Sequence, residues 1–155
     1  MSTVTLWTAA LCKSDPGYGG WAHVRRNADG TLAGAAGGER RTSGARMVLS
    51  GVIEALAALH DLPSDTAVTL HFADPNLAAE LVTMDGAYAL AEPEAWTAAR
   101  KLLAALPLLT LVPLPAATPA AGFLKAWADF GLDTAKTRGS FKAAIPKPNL
   151  MKFPG

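Results

Sequence analysis

The sequence predicts a mixed α/β fold, and three observations carry that expectation. Three strand-like stretches separated by turn signals occupy the first forty residues. A long amphipathic segment follows over residues 41–60, with apolar side chains at Val48, Leu49, Val52, Ile53, Leu56 and Leu59. That spacing builds one broad apolar face, the mark of a buried helix. From there on, strand-like and helix-like segments alternate. Together these features imply a sheet that begins as antiparallel hairpins and continues with parallel crossovers, covered by helices on both faces.

In order, residues 3–10 (Thr-Val-Thr-Leu-Trp-Thr-Ala-Ala) read as a central strand. A Ser-Asp-Pro-Gly-Tyr-Gly-Gly cluster marks a turn, because its glycines permit positive φ and close backbone approach. Residues 21–27 alternate as a second strand, and Asn27-Ala28-Asp29-Gly30 is a hairpin signal. Residues 31–40 form a third strand weakened by glycine. The helix at 41–60 opens on Thr42 and Ser43, either of which can accept from its first free N–H groups. Its N-terminus also suits a phosphate. Residues 66–72 read as a fourth strand, followed by a short helix to residue 81. Residues 93–106 read as an amphipathic helix, 108–114 as a fifth strand and 120–130 as a last helix.

Composition narrows the function classes. The chain's 155 residues suit one domain with one core. No apolar run is long enough to cross a bilayer and no secretory pattern opens the chain, so a cytoplasmic location is expected. The single cysteine, Cys12, excludes an internal disulfide, and His23, His60 and His71 lack ligand spacing. Charge is unevenly placed: Lys136, Arg138, Lys142, Lys147 and Lys152 follow the last acid, Asp133, while nine basic residues face thirteen acidic ones before it. The body, residues 1–133, is thus acidic. Residues 134–155 read as a basic tail carrying apolar anchors at Phe141, Ile145, Leu150, Met151 and Phe153.

Four words in this order resemble the ribonuclease H family. Asp15-Pro16-Gly17-Tyr18-Gly19-Gly20-Trp21-Ala22 is similar to its Asn-Pro-Gly-Pro-Gly-Gly-Tyr-Gly turn. Arg41-Thr42-Ser43-Gly44-Ala45-Arg46-Met47-Val48-Leu49 is similar to its Arg-Thr-Thr-Asn-Asn-Arg-Met-Glu-Leu. Ala73-Asp74-Pro75-Asn76 stands where the family has Thr-Asp-Ser-Gln, and Glu94-Ala95-Trp96 resembles its Asp-Leu-Trp. The resemblance spans most of residues 3–130. It implies a ribonuclease H-like five-stranded mixed sheet and hydrolysis of the RNA strand of an RNA–DNA hybrid. In that chemistry four carboxylates hold two divalent ions about 4 Å apart.

The departures point to a different function. Counting back from the turn, Ala9 stands at the first aspartate and Val48 at the helix glutamate. Asp74 keeps the third carboxylate position, or serves as a helix cap. The fourth falls on Leu124 or Lys125 by loop length, or on Asp129 by its Ala-Asp pair. The family's histidine loop has no counterpart in 115–119, and its basic extra helix is replaced by residues 83–92. Magnesium needs several carboxylate oxygens to offset its dehydration. No cofactor is therefore expected, and magnesium only if Asp15 or Glu80 supplies relocated ligands. The resemblance implies phosphate contacts at Arg41, Thr42 and Ser43, where plain capping and surface charge are the alternative. Arg25, Arg26, Arg40 and Arg41 can form a basic stripe, and Lys136, Arg138 and Lys142 add charge from the tail. The expected function is a catalytically degenerate binder of RNA, DNA or hybrid. The alternatives are a protein-assembly module that uses the acidic body and the tail, including self-association, and a metal-dependent hybrid ribonuclease.

Overall fold

The computed structural model describes residues 2–13, 17–59, 62–74, 77 and 86–155. Among these, six strands form one sheet: β1 (Thr3–Lys13), β2 (Gly17–Arg26), β3 (Leu32–Thr42), β4 (Ala67–Phe72), β5 (Leu109–Pro113) and β6 (Phe141–Ala144). The helices are α1 (Gly44–Ala57), α2 (Ala87–Ala91), α3 (Pro93–Ala104), α4 (Pro119–Arg138) and α5 (Lys147–Leu150). The strand order is β5-β4-β1-β2-β3-β6. β1, β2 and β3 pair antiparallel, β4 runs parallel to β1, and β5 runs parallel to β4. The expected mixed sheet with β1 inside it is therefore present.

The pleat divides the core in two. Val4 and Leu6 of β1 join Leu49, Val52 and Leu56 of α1, Leu70 and Phe72 of β4, and Trp96 of α3. Trp7 and Ala9, on the other face of β1, join Ala22, Val24, Leu124 and Ala128 beneath α4. The hairpin turn closes where the Asn-Ala-Asp-Gly signal stands: Asn27 N donates to the Thr31 carbonyl (2.9 Å), Gly30 N donates to the Asn27 carbonyl (2.9 Å), and Gly30 has φ +87°.

Glycine explains two departures from the sequence expectation. β2 begins at Gly17, four residues before the expected start, because its glycines are strand residues under close neighbours. A Cβ at Gly20 would lie 2.8 Å from the backbone nitrogen of Leu132 on α4. α4 likewise runs through Gly131 to Arg138, well past residue 130, because Gly131 rests directly on the backbone of Gly37. Side chains at these places would hold helix and sheet apart.

The last stretch is also different from a tail. The boundary expected between residues 133 and 134 falls inside α4. The sheet has a sixth strand, since Phe141–Ala144 pairs antiparallel with β3. Ile145, Leu150 and Phe153 are buried against the same body, where Phe153 meets Trp7 at 4.9 Å and Phe123 at 5.2 Å, both edge to face. Met151 is not an anchor; it is 83% exposed. The link expected over 83–92 contains the helical turn α2. The short helix expected after Asp74 lies outside the described residues apart from the buried Leu77. No helix among the described residues is long and apolar enough to cross a membrane.

Candidate nucleic-acid interface

Two neighbouring concavities open near the start of α1. The first lies where β1 and β4 end. The Ala73 N–H donates to the Thr8 carbonyl (3.1 Å), which carries the parallel pairing one step beyond β4 and sets Asp74 beside the end of β1. A cavity of about 330 Å³ forms there, lined by Ala10, Val48, Asp74, Tyr88 and Lys125, with Gly44 and Ala45 at the helix start. Tyr88 Oη donates to Asp74 Oδ2. Ala9 lies on the α4 face of the same strand end, 4% exposed. Of the positions considered for the fourth carboxylate, Lys125 lines the cavity, Leu124 is wholly buried, and Asp129 sits about one helical turn further on, outside the lining. Among the described residues, the acidic side chain lining this cavity is Asp74, and no group of three potential metal-ligating side chains occurs. Asp15 and Glu80 lie outside the described residues.

The start of α1 is capped as its sequence suggests, by Ser43 and not Thr42. Ser43 Oγ accepts from the Arg46 N–H (3.0 Å) and donates to Glu92 Oε1 (3.2 Å). A carboxylate thus already faces this helix N-terminus, where the dipole favours it. Thr42 is 3% exposed, which withdraws it from the surface. Arg46 is tied to Glu39 at 3.2 Å, and the hydrogen bond and charge of Glu39 hold its guanidinium pKa above the ordinary value.

The second concavity, about 710 Å³, is lined by Gly17, Tyr18, Arg40, Arg41 and Lys136. Adjacent strand residues normally point to opposite faces. Here the register shifts: Gly17 pairs with Thr42 but Gly19 pairs with Glu39, so β3 carries one extra residue. Arg41 takes a left-handed backbone, φ +50°, within this bulge. The result is that Arg40 and Arg41 line one pocket. Arg40 donates from Nε to the Ala135 carbonyl (3.0 Å) and from Nη2 to the Lys136 carbonyl (2.9 Å), binding β3 to the C-terminal turn of α4. Lys136 Nζ lies 5.7 Å from the centre of the Tyr18 ring and 3.8 Å from Asp133.

The continuous arginine stripe does not form. Arg25 and Arg26 pair with Ala33 and Leu32 at the opposite end of the β2–β3 hairpin, about 25 Å along the strand from Arg40. Arg25 Nη1 donates to the Ala58 carbonyl at the end of α1 (3.1 Å). Arg26 donates to the Gly155 carbonyl and lies over the Trp7 ring. Lys142 bridges to both carboxylate oxygens of Glu54 at 3.2 Å, and Arg138 is exposed at the end of α4. Of the basic residues singled out in the sequence, Arg40, Arg41 and Lys136 therefore share a pocket, with Ser43 at the neighbouring helix start. Sequence reasoning missed Tyr18, Tyr88 and Glu92 as site residues. Tyr18 had a signal, because it replaces a proline in the turn word; Tyr88 and Glu92 come from the irregular link and had none.

No family model matches the chain. It is 42% identical over 71 residues to the ribonuclease H of Albidiferax ferrireducens, covering 46% of this chain and 45% of that protein. It is 35% identical over 77 residues to the ribonuclease H of Campylobacter jejuni, covering 50% of this chain and 49% of that one. The matched part thus spans about half the length of these curated relatives or less. Among solved structures, ribonuclease H1 from Halobacterium salinarum superposes with a TM-score of 0.69 at 22% identity, over 86% of this chain and all of that one. LC11-RNase H1, solved in complex with an RNA/DNA hybrid, superposes with a TM-score of 0.73 at 15% identity, over 86% of this chain and 99% of that one. The chain has the ribonuclease H fold, and over about half its length its sequence is similar to those of curated ribonucleases H.

Proposed function

We propose that this protein binds nucleic acid through the α1 start and the adjoining basic pocket, and does not cleave it. One observation carries the reading: Lys125 lines the cavity where the resemblance puts two metal ions. The described donors do not fit such a centre. Magnesium is held by an octahedron of oxygens and pairs of ions need several shared carboxylates. Asp74 alone, already accepting from Tyr88 and sharing its cavity with an ammonium group and the apolar Val48, offers too little negative charge. The same ammonium suits a phosphate. Arg41, Lys136 and Lys125 supply positive charge around the α1 start, and the hybrid-bound relative supports RNA–DNA hybrid as the first ligand to try.

The test is a labelled RNA–DNA hybrid incubated with the protein and magnesium, resolved under native and denaturing conditions. The expected result is a retarded complex whose affinity falls steeply with salt, by about 0.9 logarithmic units per tenfold rise in salt for each phosphate neutralised, and an intact RNA strand. Absence of a complex at low salt refutes binding. Magnesium-dependent cleavage that disappears in Asp74→Asn refutes degeneracy and establishes the hydrolase with relocated ligands.

A further inference from the structure

The pocket between β2, the β3 bulge and the end of α4 holds more than phosphate-binding charge. It contains an aromatic ring. Tyr18 stands where the family's turn has proline, its side chain lines the 710 Å³ pocket, and the residue is 40% exposed. That volume lies within the roughly 300–1,000 Å³ range of small-ligand sites. Three cations share the pocket with the ring. Arg40 is fixed in place by two carbonyls of α4, Arg41 is turned into the pocket by its left-handed backbone, and Lys136 hovers near the ring. A ring beside cations is the pairing that holds a single nucleotide, with the base stacked on the aromatic face and the phosphate on the basic groups. A base inside a duplex has both faces covered by its neighbours, so only an unpaired nucleotide can use such a ring.

We infer that Gly17, Tyr18, Arg40, Arg41 and Lys136 form a subsite for one unpaired nucleotide, its base stacked on Tyr18 and its phosphate held by Arg41 and Lys136. This rests on the nucleic-acid reading above and extends it: the preferred ligand is a hybrid or duplex with a single-stranded end. Gly17 lets the base approach the strand backbone without a side chain in the way. Lys136, loosely held by the exposed Asp133, is free to swing from the ring to the phosphate when the base arrives.

The full chain is titrated with a blunt RNA–DNA hybrid and with the same hybrid carrying a short unpaired overhang. AMP alone is titrated in parallel while the backbone amide resonances of Gly17 and Lys136 are followed. The overhang is expected to tighten binding about tenfold, the worth of one good base–aromatic stack. Tyr18→Ala abolishes that gain, so that this variant binds the blunt and the overhang hybrid alike; Tyr18→Phe keeps the gain and shows that the ring, not the hydroxyl, is what matters. If the blunt hybrid fails to bind but AMP still shifts these amides in a Tyr18-dependent way, the duplex reading falls and the subsite stands. Equal affinity for both hybrids together with no AMP response overturns the subsite. So does an equal loss for both hybrids in Tyr18→Ala.

Discussion

Gly131→Ala is expected to loosen the helix that carries Lys136 of the basic pocket. A Cβ at Gly131 would stand 2.6 Å from the carbonyl carbon of Gly37, and nearer still to its oxygen. Ordinary contact begins near 3.4 Å, so α4 must retreat by about 1 Å. The obstacle is strand backbone, which cannot rotate aside as a side chain would. The retreat opens gaps around Leu124, Ala128, Leu132 and Ala135, all fully buried beneath the helix. Overpacking of this kind costs about 3 kcal/mol at its upper end, and the better helix propensity of alanine returns about 1 kcal/mol. The net loss is about 2 kcal/mol, equivalent to a fall of about 4–8 °C in Tm for a chain of this length. Gly122→Ala, on the same helix with nothing within 4 Å of the added atom, gains the propensity term alone and raises Tm by about 2–4 °C. Differential scanning calorimetry of the two variants beside the parent decides it. A Gly131→Ala protein as stable as the parent, or shifts of the same sign in both variants, would refute the account of close helix–sheet packing.

Three further outcomes follow from features of the site and its frame. Burial and the nearby charges of Arg25 and Lys142 push His23 down to about 4, so the unfolded chain takes up a proton that the folded one refuses between about pH 6.5 and 4. Stability therefore declines across that window as pH falls, by about 3 kcal/mol from this group, and urea midpoints at the two ends should draw together in His23→Phe. Ser43→Ala removes the acceptor for the Arg46 N–H and the donor to Glu92, which costs about 1 kcal/mol of thermal stability; an unchanged Tm would show that the cap is idle. Placing acids at the lining positions around Asp74, as Ala10→Asp, Val48→Glu and Lys125→Asp, should create magnesium affinity measurable by calorimetry where the parent has none, and an equal heat signature in both proteins would contradict the reading of Lys125.

Much of the architecture was readable because periodicity and capping are local. Ser43 before an apolar stripe fixed the start of α1, and Asn27-Ala28-Asp29-Gly30 fixed the first hairpin. What escaped was set by distant backbone. Gly19 and Gly20 look like a turn from sequence, yet they are strand residues on which Met47 of α1 and the backbone of α4 press; Gly131 looks like a helix end, yet it lies inside α4 against the backbone of Gly37. β6 is only four residues, Phe-Lys-Ala-Ala, and gains strand structure by pairing with β3, a partner a hundred positions away. The candidate site divides similarly. Val48 and Asp74 were legible as cavity positions from the spacing of family words. The joint orientation of Arg40 and Arg41 was not, since alternation sends neighbours apart and a positive φ leaves no trace in the residue names.

β6 bears on how the molecule keeps company with itself. Without it, β3 would be the outermost strand, presenting the amides and carbonyls of the small, uncharged run Ala33-Gly34-Ala35-Ala36-Gly37-Gly38 as a ready template for another chain. β6 satisfies that border with a shorter strand bearing the charged Lys142 and ending against Pro146, which has no N–H to offer. The closing segment is thus the guard against sheet-to-sheet aggregation, and a protein shortened before Phe141 should come off a sizing column as multimers.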